Sequence, residues 1–117
     1  MRLRRRAAAA RAALWALRAA LEARRRVAAG GLPPFDLPRA PSVPLSAGYG
    51  VELALRPRLF TCLVRASVRQ AWFAGHGVAR DLVIGVTSPG DFKAHAWLEG
   101  DDPRASAGYS ELYRRPA

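Results

Sequence analysis

The chain contains one cysteine, Cys62, in the stretch RLFTCLVRAS. Thr61 directly before it is a residue type that caps helices, so we expect Cys62 to lie in the first turn of a helix. Unpaired backbone N–H groups and the positive end of the helix dipole favour a thiolate at such a position. Cys62 is therefore a candidate nucleophile, although free cysteines are commonly buried and inert.

Two histidines are available as a general base for this thiol, His76 and His95. His76 follows the predicted helix, about 21 Å of helix rise beyond Cys62, and is expected at the surface or in a turn. His95 lies within KAHAWLE, a predicted strand, with an alanine on either side. A strand packed on the cysteine helix can bring a side chain to the helix start, so His95 is the better candidate.

Trp97 and Glu99 share the face of His95 by strand alternation. Trp97 is expected to pack in the core or to wall a cleft. Glu99 lies about 13 Å along the strand from His95, so we expect it to pair with an arginine and not with the imidazole.

Other site chemistries have no motif in the sequence. It holds no glycine-rich phosphate loop, no metal-ligand cluster and no second cysteine, so we expect no cofactor, no metal and no disulfide. Arg11 and Arg18 interrupt the apolar stretch after the basic N-terminus, which argues against a signal peptide. No apolar run reaches the ~20 residues of a membrane span, so we expect a cytoplasmic protein.

The elements that must position Cys62 and His95 follow from local patterns. Residues 62–74 place Val64, Val68, Ala71 and Trp72 on one helical face, and Gly75 and Gly77 end the helix. The sequence then predicts a strand at DLVIGV, a turn at TSPGD, a strand at FKAHAWLE, a turn at GDDP and a shorter strand at RASAGY. We therefore expect an α+β core with a helix followed by an antiparallel meander.

The N-terminal half is organised differently. Residues 1–30 predict a basic amphipathic helix with nine arginines against Glu22 and an apolar stripe of Leu14, Leu17, Leu21 and Ala28. Residues 31–48 form a proline-rich connector, and residues 49–117 the core. The helix either binds an acidic peptide, nucleic acid or an anionic membrane, or packs on the domain with a solvated outer face.

The stretch TCLVRASVRQAWFAGHGVARDLVIGV, with FKAHAWLEG and a closing GYSELY, resembles the leader peptidase of the lasso-peptide B protein family. The resemblance covers about residues 57–113. It implies a transglutaminase-like, papain-like fold and a Cys-His-Asp protease in which Cys62 attacks and His95 acts as base. It also implies a precursor peptide as substrate and a separate leader-recognition protein as partner. Docking of the N-terminal helix onto the macrocyclase that closes the ring is a further alternative.

The third member of the implied triad does not match cleanly. The family places an aspartate on the strand after the histidine, about a dozen residues downstream. With GDDP as the hairpin turn, we expect residues near Ala107 and Gly108 to pair with His95, and neither is an acid. Three interpretations stay open. His95 is steadied by a backbone carbonyl or by Ser106, or Asp101 or Asp102 reaches the imidazole in another register, or the enzyme is weakened.

The oxyanion hole is expected to use the backbone N–H of Cys62, with a second donor from the loop GYGVELALRPRLF. Arginine-rich composition, with eighteen arginines and one lysine, is typical of a GC-rich bacterial gene. The resemblance, taken with these residues, implies a bacterial cysteine endopeptidase that removes the leader of a lasso-peptide precursor. The alternative is a non-catalytic module that binds an acidic peptide or, less expected, nucleic acid.

Overall fold

The computed structural model describes residues 2–87 and 93–117. Within them, helix α1 spans Arg2–Ala28, α2 spans Gly48–Ala54 after a short 3-10 helix at Leu45–Ala47, and α3 spans Cys62–Gly75. The strands are β1 at Leu82–Val86, β2 at Ala94–Leu98 and β3 at Ser110–Arg115, with a second 3-10 helix at Pro103–Ala105. The predicted α+β fold, with the cysteine on a helix, is confirmed.

Helix α1 spans the expected residues, but its buried face is not the leucine stripe. The buried residues are alanines and one tryptophan: Ala9, Ala12, Trp15, Ala16, Ala19, Ala20 and Ala23. Leu14, Leu17 and Leu21 are 52, 38 and 47% exposed. The small face lets α1 and α2 approach so closely that a Cβ on Gly50 would collide with the carbonyl oxygen of Ala9. Leucines do not fit at that distance, so they face solvent.

The proline-rich connector wraps back over this helical layer. Trp15 Nε1 donates to the carbonyl of Pro38 at 2.9 Å, and Tyr113 Oη donates to that of Pro33 at 3.0 Å. His76, at the end of α3 as expected, has its Nε2 atom 2.7 Å from the carbonyl oxygen of Val43. Side chains from α1, from β3 and from the end of α3 therefore hold the connector in place, although before its 3-10 helix it forms no regular backbone hydrogen-bond pattern.

Helix α3 lies between the other helices and the sheet. Its start matches the prediction, since Thr61 Oγ1 accepts a hydrogen bond from the backbone N–H of Val64 at 3.4 Å. Val64, Val68 and Trp72 are buried in a cluster with α1 and α2. On another face, α3 packs on the sheet in a second cluster of Ala66, Leu82, Ala96 and Leu98.

The sheet has the strand order β2-β1-β3, with β1 antiparallel to both neighbours. The expected meander is wrong, and so is the expected third strand at residues 104–109, since β3 begins at Ser110. Asp102 instead caps a 3-10 helix by accepting from Arg104 N at 2.9 Å, and the chain then crosses to the far side of β1. This leaves β2 as an edge strand.

Residues 88–92, which hold most of the predicted turn TSPGD and the start of the predicted second strand, lie outside the described part of the chain. None of the helices in residues 2–87 and 93–117 combines the length and the apolar character needed to cross a membrane.

Candidate active site

Cys62 is the first residue of α3 and is half-buried. Its Sγ atom accepts a hydrogen bond from the backbone N–H of Ala96, with an S···N distance of 3.4 Å. That N–H is free to do so because β2 is an edge strand and turns every second N–H away from β1. The contact fixes the thiol beside the residue that follows His95.

Cys62 and His95 line one cleft of about 140 Å³ between α2, α3, β2 and the 3-10 helix that begins at Pro103. The other lining residues are Glu52, Leu55, Arg65, Ala66, Arg69, Ala96, Trp97, Asp101 and Ala105. A larger cavity of about 370 Å³ lies between the start of α1 and Tyr49, but neither Cys62 nor His95 lines it. The smaller cleft is therefore the candidate active site.

The imidazole of His95 is held by aromatic rings. It stacks on Trp97, with ring centroids 5.8 Å apart and an interplanar angle of 24°, and it contacts Tyr109 at 5.1 Å. Ala96 and Leu98 face α3, so strand alternation places His95 and Trp97 on the other face of the sheet. Among the described residues, neither ring nitrogen of His95 has a hydrogen-bond partner, and the ring does not bond to Cys62 Sγ.

Trp97 lines the cleft on that side, and Tyr109 packs against His95 and Trp97. The indole of Trp97 lies across Gly85, where a Cβ atom would be 2.5 Å from Trp97 Cη2. Gly85 is also the residue that pairs with His95, so the expected pairing of His95 with residues near Ala107 and Gly108 is wrong. Sequence reasoning missed Tyr109, because its position depends on the crossover after β2 and no local motif marks it.

Asp101, one of the three candidates for the third catalytic residue, lines the cleft but is bound elsewhere. Arg69 holds its carboxylate through two hydrogen bonds of 2.7 and 2.9 Å, and Arg80 adds a third at 3.1 Å. The backbone N–H of Leu98 donates to the same carboxylate at 3.0 Å. Burial raises the pKa of Asp101, but these hydrogen bonds and the two guanidinium charges outweigh it, so the pKa is lowered.

The two remaining candidates also have other partners. Asp102 is exposed and accepts from the backbone and side chain of Arg104. Ser106 Oγ donates to the carbonyl oxygen of Pro103 at 3.3 Å. The structure thus brings Cys62, His95 and Asp101 to one cleft, and in the described part of the chain it bonds none of Asp101, Asp102 and Ser106 to the imidazole.

Arg65 lies one helical turn beyond Cys62 and also lines the cleft. Its Nε atom is buried and has no hydrogen-bond partner among residues 2–87 and 93–117. Arg69, the next arginine along this helix, is by contrast paired with Asp101 and with Glu52 at 3.1 Å. Because this atom is buried, a carbonyl or carboxylate that enters the cleft accepts from it only after the Arg65 side chain moves.

Backbone donors at the helix start complete the site. In the described part of the chain the N–H of Cys62 has no acceptor, as expected at the first position of a helix. The segment expected to supply a second donor as a loop is largely helix α2, which the sequence did not predict.

Glu99 bonds to Arg114 at 3.0 Å, which confirms that it pairs with an arginine.

The sequence matches one protein family, described as the transglutaminase-like superfamily, over residues 2–115. The match includes α1 and the connector as well as the cleft. No curated protein and no solved structure matches the chain.

Proposed function

This chain belongs to the transglutaminase-like superfamily, and on that premise we propose that it is a cysteine endopeptidase that removes the leader from a lasso-peptide precursor. Cys62 is the nucleophile and His95 the general base. The observation that carries the proposal is that both line one cleft, with Cys62 Sγ bonded to the N–H of Ala96, the residue after His95. The resemblance of both motifs to lasso leader peptidases supports the substrate class.

The chemistry proceeds by acyl transfer. His95 takes the thiol proton, Cys62 Sγ attacks the scissile carbonyl carbon, and the N–H of Cys62 donates to the resulting oxyanion. The imidazolium then gives its proton to the amine as the C–N bond breaks, which leaves a thioester on Cys62. Water, deprotonated by His95, hydrolyses the thioester, so the products are the leader acid, the free core amine and the regenerated thiol.

The outer edge of β2 supports a peptide substrate. Within the described residues this edge pairs with no strand. Its N–H groups at Ala96 and Leu98 are already bonded to Cys62 Sγ and Asp101, so an extended peptide would bind through the remaining backbone groups at Ala94 and the carbonyl of Ala96, beside the thiol. Ala94 and Ala96 carry small side chains on this strand, which lets the substrate backbone come close. The small cleft volume suits one or two substrate side chains beside the thiol.

The aromatic contacts of His95 favour a dyad over a triad. No carboxylate in the described residues touches the imidazole, and Asp101 is committed to Arg69 and Arg80. Trp97 and Tyr109 orient the ring instead. Because an orienting carboxylate is worth about 10⁴ in rate in a serine protease, we expect slow turnover. Formation of the Cys62–His95 contact when substrate enters is part of the proposal, since catalytic hydrogen bonds often tighten only then.

The second candidate function is a binding module that holds an acidic peptide without cutting it. The unpartnered imidazole and the exposed arginines of α1 favour it.

A chloromethyl ketone built on the last residues of the candidate leader separates the two functions. An active peptidase is alkylated at Cys62 much faster by this reagent than by its scrambled-sequence control, and His95→Ala abolishes the difference. A binding module shows equal, slow alkylation by both reagents.

A further inference from the structure

The solvent side of α1 carries an apolar seam that no part of the described structure covers. Leu3 is 80% exposed, and the exposed Leu14, Leu17 and Leu21 follow at spacings of three and four residues along the same stripe. Ala7, Ala10, Arg24 and Ala28 are also exposed and occupy the other positions of the same seven-residue repeat, so the seam is apolar at every position except Arg24. This is the spacing by which one helix packs along another as a coiled coil.

A row of arginines runs beside this seam. Arg4, Arg11, Arg18 and Arg25 are seven residues apart, all are exposed, and each follows a seam position by one residue. Arg25 pairs with Glu22 at 3.2 Å. Arg4, Arg11 and Arg18 have no acidic partner among residues 2–87 and 93–117. In a coiled coil, charges at this position select the partner and its orientation.

The other flank of the seam belongs to the fold itself. Ala20 is fully buried, and Ala13 and Val27 pack against the core. Arg24, which is at a seam position and not on this flank, lies over the ring of Phe60, 5.0 Å from its centroid. Apart from Arg6 near the N-terminus, the exposed positive charge next to the seam is therefore concentrated on one side.

We propose that this outer face, the Leu3, Leu14, Leu17 and Leu21 seam with its arginine row, docks an acidic amphipathic helix of a partner protein. The seven-residue period, interrupted by a charged residue only at Arg24, and the length of about 40 Å fit a helix of three to four heptads. The arginine row requires carboxylates along one flank of that helix.

Two other occupants fit less well. A second copy of this chain would bring arginines and alanines, and no acidic row, against Arg4, Arg11 and Arg18. A membrane-bound helix carries basic residues on both flanks of its apolar face, whereas here one flank is taken up by the core.

The test uses a synthetic four-heptad peptide with leucine at the a and d positions and glutamate at e and g, and a matched peptide with lysine in place of glutamate. Fluorescence anisotropy should show saturable binding of the glutamate peptide only, weakening as salt rises. Leu14→Ser/Leu17→Ser/Leu21→Ser should abolish binding. Replacing Arg4, Arg11, Arg18 and Arg25 with glutamate should lower the affinity for the glutamate peptide about tenfold. The same variant should bind the lysine peptide, which the native protein does not.

Leu53→Ser, which changes a leucine that is 56% exposed on α2, is the matched control and should bind like the native protein. Circular dichroism confirms that each variant is folded. Cys62→Ala should also bind normally, because the surface is independent of peptidase activity. Failure of the folded native protein to bind the glutamate peptide, or equal binding of both peptides, overturns the proposal. The proposal is also overturned if the native protein binds phosphatidylserine vesicles instead of the glutamate peptide and the triple serine variant does not. It is overturned as well if the native protein is a dimer that the triple serine variant dissociates.

Discussion

The sulfur atom of Cys62 and the backbone nitrogen of Ala96 lie 3.4 Å apart, as acceptor and donor of one hydrogen bond. This contact joins the start of α3 to the open edge of β2. It brings a thiol at a helix N-terminus next to His95, and it leaves the imidazole on the other face of the strand. The proposed mechanism requires the imidazole to come from that face to the thiol when substrate enters.

Tyr109 should act through its ring and not through its hydroxyl group, because it contacts His95 ring to ring, with the two planes tilted by 38°. Tyr109→Ala frees the imidazole to adopt unproductive orientations, so kcat should fall about 10- to 100-fold with a small change in KM. Tyr109→Phe keeps the ring and should retain near-native kcat. Equal loss in both variants would show that the hydroxyl group, and not the aromatic contact, matters.

Arg65 should be costly for stability and useful for substrate binding. A buried donor without an acceptor costs about 1–3 kcal/mol, so Arg65→Met, which keeps much of the side-chain volume, should raise the free energy of unfolding by about 1 kcal/mol. The same change should raise KM for the precursor. Arg58→Met, at an exposed position outside the cleft, is the control for both quantities. Loss of stability with unchanged KM would assign Arg65 a structural role.

Because of Asp101, the free energy of unfolding should decrease as the pH falls into the acidic range. Its folded-state pKa is lowered, so its contribution is complete above the unfolded-state pKa of about 4 and is lost as pH falls through the folded-state value. At pH 7, Asp101→Asn should lower the free energy of unfolding by about 3 kcal/mol, because Arg69 and Arg80 lose their shared anion. The gap between native and variant should narrow as pH falls below 4. Asp102→Asn removes an exposed carboxylate and should change the free energy of unfolding little at any pH. If Asp101→Asn lowers the free energy of unfolding by the same amount from pH 7 to pH 2, the stabilising ion pairs of Asp101 with Arg69 and Arg80 are disproved.

Trp15 and Leu17 should differ sharply although they are neighbours on α1. Trp15 is buried against Trp72, with ring centroids 5.8 Å apart, and bonds to Pro38. Trp15→Ala should therefore cost about 3–5 kcal/mol in chemical denaturation. Leu17→Ala, at an exposed position, should change the free energy of unfolding by less than about 0.5 kcal/mol. Comparable losses would mean that α1 packs through its leucines.

Local signals explain what the sequence predicted well. Thr61 as a cap, the apolar spacing after Cys62 and the apolar run at residues 82–86 act over a few residues, and the structure has α3 and β1 where they were expected. The face of α1 could not be judged in this way. Hydrophobicity ranks leucine above alanine, whereas the close approach of α2 selects for small size.

Long-range features were beyond local patterns. The pairing of β3 with β1 depends on the crossover after Asp102, and a turn signal cannot say which strand edge the chain will reach next. The same crossover brings Tyr109 to His95 and removes residues 107–108 from the place opposite the imidazole. The Cys62 and His95 motifs therefore pointed to one cleft, but the surroundings of the imidazole required the fold.

The central claim is that Cys62 is the nucleophile of a leader peptidase. The most direct measurement is mass spectrometry of the candidate precursor after incubation with this protein and a candidate leader-recognition protein, comparing native protein with Cys62→Ala. We expect native protein to yield separate leader and core fragments, and Cys62→Ala, folded by circular dichroism, to leave the precursor intact. Intact precursor in both reactions, with native protein folded and bound to it, or equal cleavage in both, would contradict the claim.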